Sequence, residues 1–268
     1  MSNYENKIYL ITGASSGMGR DTALYLASKN VKALTLFSRG KDRLQEVADQ
    51  ISKEHPRTKT LIVAGDAASA EDNKRAVDET VAAFGGIHGA FVNAGAYRGG
   101  AMIPEVSDKD IDDILDINVK GVIYAMRYLI PAIKATIGDD KNTNATGSIV
   151  VNSSAMATAI VGPKSAGSSI YSASKAFVNS LVETAAIENA PTIRVNGVMP
   201  GVVQTGIMPV DDATYQHIGA ALQPLWGRPG KSREVSALVA FLLSDEASFI
   251  SGTNIKADGL WSLSGGGM

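Results

Sequence analysis

The chain has 268 residues and a formal net charge of −2, from 25 Lys and Arg against 27 Asp and Glu. That balance gives no electrostatic reason to expect a nucleic acid or an anionic membrane as partner; the absence of cysteine excludes disulfides and thiolate ligands, and His55, His88 and His217 stand apart from one another, so no metal is expected. The length suits one α/β domain, no apolar run approaches the roughly 20 residues of a membrane span, and residues 1–6 carry no apolar signal region, which sets a cytoplasmic location as the expectation.

Residues 7–11 open with Ile8, Tyr9, Leu10 and Ile11, the short apolar run of a buried parallel strand. It leads into Thr12, Gly13, Ala14, Ser15, Ser16, Gly17, Met18 and Gly19, then into a helical pattern with Leu24, Leu26 and Ala27. Strand, glycine turn, helix is a setting that binds dinucleotide phosphates. Gly13 permits the tight turn, Gly17 lets the backbone approach a pyrophosphate, and Gly19 lets helix and strand pack closely. The free N–H groups of the helix start then face the anion. Residues 33–37 form a second strand. After it, Ser38 and Arg39 occupy the place where a carboxylate would bond the ribose of NAD; none occurs before Asp42. They read as a 2′-phosphate site, favouring NADP(H) over NAD(H). A polar helix over about 41–53, a strand over 60–63, a helix over about 71–84 and a strand over 89–92 follow, the last ending at Asn93.

A long helix begins at about Asp108, with Ser107 as N-cap, and continues past Pro131, which bends it or opens a new turn. Asn118 lies inside it, where a side-chain amide competes with backbone hydrogen bonds. Residues 138–146 are polar and read as an exposed loop, 147–151 as the fifth strand, and Asn152, Ser153 and Ser154 emerge from it. The next helix, about 169–188, carries Tyr171 and Lys175 at i and i+4, on one face. An ammonium beside a phenol lowers the tyrosine pKa toward working pH, which suits proton exchange with an alcohol or carbonyl oxygen. Residues 193–198 and 254–257 form the last strands. Between them, residues 201–229 contain Met208, Tyr215, Leu222, Leu225 and Trp226, either a lid over a substrate or a helix pair packed on the core or on another subunit.

Together these motifs resemble the short-chain dehydrogenase/reductase family. Thr12 to Gly19 follows its T-G-x-x-x-G-x-G turn, Asn93-Ala94-Gly95 its N-A-G, and Tyr171 to Lys175 its Y-x-x-x-K. Asn118 falls at its catalytic asparagine, and Asn152-Ser153-Ser154 at its N-x-S-S without the intervening residue. Pro200-Gly201-Val202-Val203-Gln204-Thr205 is similar to its P-G-x-[IV]-x-T, and residues 251–259 to its closing motif. The motifs keep family order over nearly the whole chain.

The resemblance implies a single-domain Rossmann fold over 1–268: α/β, a doubly wound parallel sheet of about seven strands with helices on both faces. It implies a tetrad of Asn118, Ser154, Tyr171 and Lys175, with Tyr171 as proton donor. Ser154 lies 17 residues before Tyr171 where the family has about a dozen, so Ser153 and Thr158 stay open as the hydroxyl. The implied cofactor shell is Gly13, Ser15, Ser16, Gly17, Met18 and Gly19, then Ser38 and Arg39, Asp66 and Ala67 near adenine, Asn93, Ala94 and Gly95, Tyr171 and Lys175, and Pro200, Gly201, Val203 and Thr205. The implied activity is NADP(H)-dependent carbonyl reduction or alcohol oxidation on a small molecule, without metal. A sugar, a steroid or a 3-oxoacyl thioester is the alternative substrate, with residues 162–167 and the lid shaping the pocket, and a non-catalytic dinucleotide sensor is a different class altogether. A homotetramer is implied, with the long helices and residues 259–263 as contact surfaces, unless that tail folds back on its own subunit.

Overall fold

A computed structural model describes residues 4–138, 146–158, 167–208 and 210–264. Most of the expected exposed loop at 138–146 and most of the pocket segment 162–167 fall outside the described residues. Seven parallel strands form one sheet in the order β3-β2-β1-β4-β5-β6-β9. They are β1 (Ile8–Thr12), β2 (Ala33–Ser38), β3 (Lys59–Ala64), β4 (Gly89–Val92), β5 (Gly147–Asn152), β6 (Ile193–Pro200) and β9 (Asn254–Ala257). The order reverses between β1 and β4, which pair in register Tyr9 with Gly89 and Ile11 with Phe91. A crevice outside the carboxyl ends of the strands at such a switch point is where open α/β sheets bind ligands.

The period-2 geometry of a strand sends successive side chains to opposite faces. Tyr9 and Ile11 enter a core with Leu26, Leu44 and Val239, whereas Leu10 enters a second core with Val77, Leu129 and Val182. Helices α1 (Gly17–Ser28), α2 (Lys41–Glu54) and α8 (Ser232–Leu243) cover the first face. Helices α3 (Ala70–Phe84), α5 (Gly121–Ile137) and α6 (Ser169–Asn189) cover the other. The sheet and its two helical layers are therefore as the sequence pattern implied.

Three features differ from the sequence reading. The long helix is α4 (Asp108–Leu115), a π turn (Asp116–Lys120) and α5, with Pro131 inside α5. Asn118 is thus on a widened turn, which frees backbone groups at a functional edge. Helix α8 has no counterpart in the sequence reading, although it completes one face and joins α1 through Thr22 Oγ1 to Ser236 Oγ at 3.1 Å. Third, residues 201–229 leave and return through a two-stranded ribbon, β7 (Val203–Gln204) beside β8 (Gly230–Lys231), with α7 (Asp212–Leu222) between.

The C-terminal end of α8 is tied down from three strands. Arg194 of β6, buried, donates from Nη1 to the Leu242 carbonyl and from Nη2 to the Ser244 carbonyl, both at 2.8 Å. Ser148 Oγ donates to Leu242 O at 2.8 Å and Tyr9 Oη to Leu243 O at 3.2 Å. A helix end leaves carbonyls without partners, and these side chains supply the donors. Bonds from a charged donor are worth about 1.5–3 kcal/mol each, so Arg194→Leu is expected to lower unfolding free energy by at least about 2 kcal/mol. Urea unfolding followed by circular dichroism measures it; an unchanged midpoint would contradict this reading.

Candidate active site

The turn after β1 is built for a close-approaching ligand. Gly13 and Gly17 have positive φ of 66° and 50°, and a Cβ on Gly19 would lie 2.2 Å from the Gly13 carbonyl. The Thr12 hydroxyl accepts from the Asn93 and Ala94 N–H groups, each at 2.9 Å, which ties the β4 end to the glycine turn. Helix α1 begins after Ser16 with no side-chain cap and no acidic residue in its first turn. Its free N–H groups and positive dipole end therefore face an open cavity of about 320 Å³. Ser15, Ser16, Gly17 and Met18 line it, as do Ser38, Arg39, Asp66, Ala67, the segment Asn93, Ala94 and Gly95, and Thr205. Gly19 is buried behind it. The cradle thus fits a dinucleotide: Cβ atoms at the glycines would fill it, and Arg39 is among the charged residues on its rim.

Beside this cradle four side chains converge. Tyr171 and Lys175 stand on the first turns of α6, both buried. Lys175 Nζ donates to the Asn152 carbonyl at 2.8 Å and lies 5.8 Å from the Tyr171 ring centroid. Asn118, fully buried, accepts from Ala96 N and donates to Ala96 O, both at 2.9 Å, and donates to Ser174 Oγ at 3.1 Å. A Cβ on Gly95 would sit 3.2 Å from Asn118 Oδ1 and 3.4 Å from Lys175 Nζ, so that glycine lets the two approach.

Of the three candidate hydroxyls, Ser154 is the one beside Tyr171. Buried at the start of a 3-10 turn (Ala155–Ala157), it accepts from Met156 N at 3.2 Å, lines the same cavity as the Tyr171 phenol and lowers its pKa. Ser153 faces away, donating to Asn179 Oδ1 at 2.6 Å, and Thr158 is exposed.

The electrostatics overturn one expectation. Lys175 does not bring the phenol down: burial pushes Tyr171 up to about 12, against the smaller opposing pull of Ser154. Burial likewise drives Lys175 down to about 8. Both groups are driven toward their neutral forms because desolvation penalises either charge.

A second cavity of about 390 Å³ adjoins the first, sharing Asn93, Gly95, Asn152 and Thr205. Tyr171, Lys175, Ser154, Pro200, Gly201 and Val203 line it, with Met208, Leu222 and Trp261 on the far side.

The family model described as enoyl-(acyl carrier protein) reductase matches residues 13–260. Cyclohexanol dehydrogenase of Acinetobacter sp. (strain SE19) is 36% identical over 264 residues, 97% of each chain. The chain belongs to the short-chain dehydrogenase/reductase family. Glucose 1-dehydrogenase of Gluconobacter oxydans (strain 621H) is 33% identical over 98% of this chain and 94% of its own. The crystal structure of 3-ketoacyl-(acyl-carrier-protein) reductase from Brucella melitensis complexed with NADH has a TM-score of 0.83 at 29% identity, covering 97% of this chain and 100% of that one. This short-chain dehydrogenase/reductase is an oxidoreductase, and its family implies a nicotinamide dinucleotide.

Several residues of this family member escaped the sequence reading. Arg43, one turn into α2, lines the first cavity near Arg39. Its signal was the spacing from Arg39, i to i+4 across a helix start. Gln223 ties the two ends of the 201–229 segment: it accepts from Val202 N at 2.7 Å and donates to Arg228 O at 2.8 Å. A Cβ on Gly201 would lie 2.3 Å from the Gln223 amide oxygen, a close approach no sequence pattern reveals. The lid expectation divides. Met208 and Leu222 face the cavity and Tyr215 is buried, while Leu225 and Trp226 are exposed. The tail divides too: Trp261 folds back against Val202 and Tyr215, leaving Leu260 and Leu263 exposed.

A charged Lys175 in this dry place costs about 3 kcal/mol at neutral pH, the equivalent of lowering its pKa from 10.5 to about 8. Between those values the unfolded chain binds more protons than the folded one, so stability rises with pH across that window. Lys175→Met lacks the effect. Cofactor-free wild type is therefore expected to gain about 3 kcal/mol on the variant between pH 7.5 and 10.5, measured by urea unfolding. A constant difference between the two proteins would contradict the burial of the charge.

Proposed function

We propose that this enzyme is an NADP(H)-dependent carbonyl reductase and secondary-alcohol dehydrogenase, with Tyr171 as proton donor and acceptor. The observation that carries the reading is the convergence of Ser154, Tyr171 and Lys175 on one largely apolar cavity continuous with the glycine cradle. The whole chain acts as one cofactor-binding and catalytic domain, and residues 201–229 cover the substrate.

The glycine turn with Ser15, Ser16 and Met18 would hold the pyrophosphate, Ser38 and Arg39 the 2′-phosphate, and Asp66 and Ala67 the adenine side. Asn93, Ala94, Gly95 and Lys175 would hold the nicotinamide ribose, with Pro200, Gly201, Val203 and Thr205 beside the ring. The bound dinucleotide supplies or accepts the hydride. Ser154 orients the substrate oxygen by a hydrogen bond. Tyr171, protonated at neutral pH because burial raises its pKa, donates its proton to that oxygen. In the alcohol direction the same group must accept a proton, which favours higher pH. Lys175 donates toward the β5 end, and Asn118 fixes the 95–96 backbone against α6. The apolar walls exclude water, so each hydrogen bond in the site acts at low dielectric.

Support for NADP(H) comes from Arg39 and Arg43 on the rim and from the lack of a carboxylate at the end of β2. Neither arginine has an ion pair among the described residues. We also propose a homotetramer in the cytoplasm, with the exposed Leu225, Trp226, Leu260 and Leu263 among surfaces suited to burial.

Turnover of a panel of ketones with NADPH tests the activity, and Tyr171→Phe is expected to lower it by about 10²- to 10⁴-fold while dinucleotide binding survives. Ser154→Ala is expected to lower turnover more than Thr158→Ala. Binding without turnover in wild type would favour a sensor. A charged contact to phosphate is worth about 1.5–3 kcal/mol, or roughly 10- to 100-fold in affinity, so wild type should prefer NADPH and Arg39→Asp should reverse this. Equal affinity for NADH in wild type would overturn the cofactor assignment.

A further inference from the structure

One residue at the boundary of the two cavities, lining both, is outside the tetrad. Tyr97, two residues after Gly95, stands edge-on to Tyr171, with ring centroids 5.0 Å apart and planes at 82°. It is fixed at both ends. Its hydroxyl shares a 3.0 Å hydrogen bond with Ser168 Oγ, and Ser168 is buried immediately before α6. The bare backbone of Gly99 makes room for the phenol, since a Cβ there would lie 2.3 Å from the Tyr97 hydroxyl oxygen. The Gly99–Gly100 turn is in turn anchored by Gly100 N donating to Gly167 O at 3.0 Å. Tyr97 is therefore a placed wall beside the reacting phenol, not a side chain free to swing aside.

The opposite wall is a small hydrophobic core of its own. Val202, Tyr215 and Trp261 are buried there, with Met156, Ile218 and Leu222 packed against them. Among the described residues lining this cavity, Lys175 is the one charged side chain, and it is turned to the Asn152 carbonyl. The polar groups nearest the reacting end are Ser154 and Tyr171; the Tyr97 and Ser168 hydroxyls satisfy each other. Asn152 Oδ1 and Trp261 Nε1 are the buried polar atoms of this lining without a hydrogen-bond partner among the described residues, so a polyol finds few partners for its further hydroxyls; an apolar pocket discriminates by only about 10²-fold against one added hydroxyl. Part of the 390 Å³ is lined by Asn93, Gly95 and Thr205, on the cofactor side, so what remains for substrate is small.

We propose that this pocket takes neutral, apolar ketones and secondary alcohols of single-ring size, and that Tyr97 is the residue that sets the limit. The inference rests on Tyr171 as the proton donor. Steady-state reduction of cyclohexanone and of 2-decalone by wild type, Tyr97→Phe and Tyr97→Ala tests it, with NADPH binding followed by fluorescence in each. Wild type is expected to favour cyclohexanone. Tyr97→Ala is expected to shift the kcat/KM ratio toward 2-decalone by about 10- to 200-fold, the range for a change of one methylene in a pocket, mainly through KM. Tyr97→Phe keeps the ring and the wild-type ratio. If Tyr97→Ala does not fold, Tyr97→Leu gives the same shift at smaller size. An unchanged ratio in Tyr97→Ala or Tyr97→Leu overturns the inference, and so does wild type oxidising D-glucose as efficiently as cyclohexanol. Failure of wild type to reduce any ketone counts against the carbonyl-reductase reading itself; an unchanged ratio in an enzyme that still needs Tyr171 counts against Tyr97 alone.

Discussion

Everything about this site follows from burying a phenol and an ammonium one helical turn apart at the edge of a cavity. Both Tyr171 and Lys175 are buried, and burial acts on them in opposite directions, raising the phenol and lowering the amine. Such groups need partners that the fold supplies at fixed places. The Asn152 carbonyl at the end of β5 receives the ammonium, and Ser154, two residues on, lines the cavity that the phenol faces. Asn118 on its π turn joins the 95–96 backbone to Ser174 of α6. The site is thus a joint between the ends of β4 and β5 and the start of α6, and moving any one of them strands a buried polar group.

The dry pair also depends on what excludes water above it. The third hydrophobic cluster is made from segments far apart in sequence: Ala155 after β5, Val202 after β6, Tyr215 in α7 and Trp261 in the tail. The β7–β8 ribbon and Gln223 hold the ends of the excursion together, so this cover is tethered at its base while its apolar residues face the cavity. The cavity therefore has one largely apolar wall. The polar chemistry is confined to the sheet side.

Much of this was legible in the sequence because it is local. The buried strands are uninterrupted apolar runs, the glycine spacing states a close approach, and Tyr171 and Lys175 need only helical periodicity to share a face. What was not legible depends on distance or on dielectric. Helix α8 buries Ser232, Val235, Ser236, Val239, Ala240 and Leu243 at helical spacing, and the two serines interrupt the apolar pattern of that stripe in the sequence. Gln223 and Gly201 meet across 22 residues with no pattern linking them. The choice of Ser154 over Thr158 needed the 3-10 turn that carries one inward and the other to the surface. The direction of the Tyr171 shift was misread for a similar reason: i, i+4 spacing reveals a neighbouring cation but not the loss of solvent, and here the loss of solvent is the larger effect.

The central claim is that desolvation, more than the charge of Lys175, sets the proton affinity of Tyr171. Ultraviolet absorbance of the cofactor-free protein against pH, taken as the difference between wild type and Tyr171→Phe, isolates this one phenol among 8 tyrosines. With a pKa pushed up to about 12, no Tyr171 phenolate should appear below pH 10. A phenolate band with its midpoint below the ordinary tyrosine value of about 10 would contradict the account and return the control of this proton to Lys175.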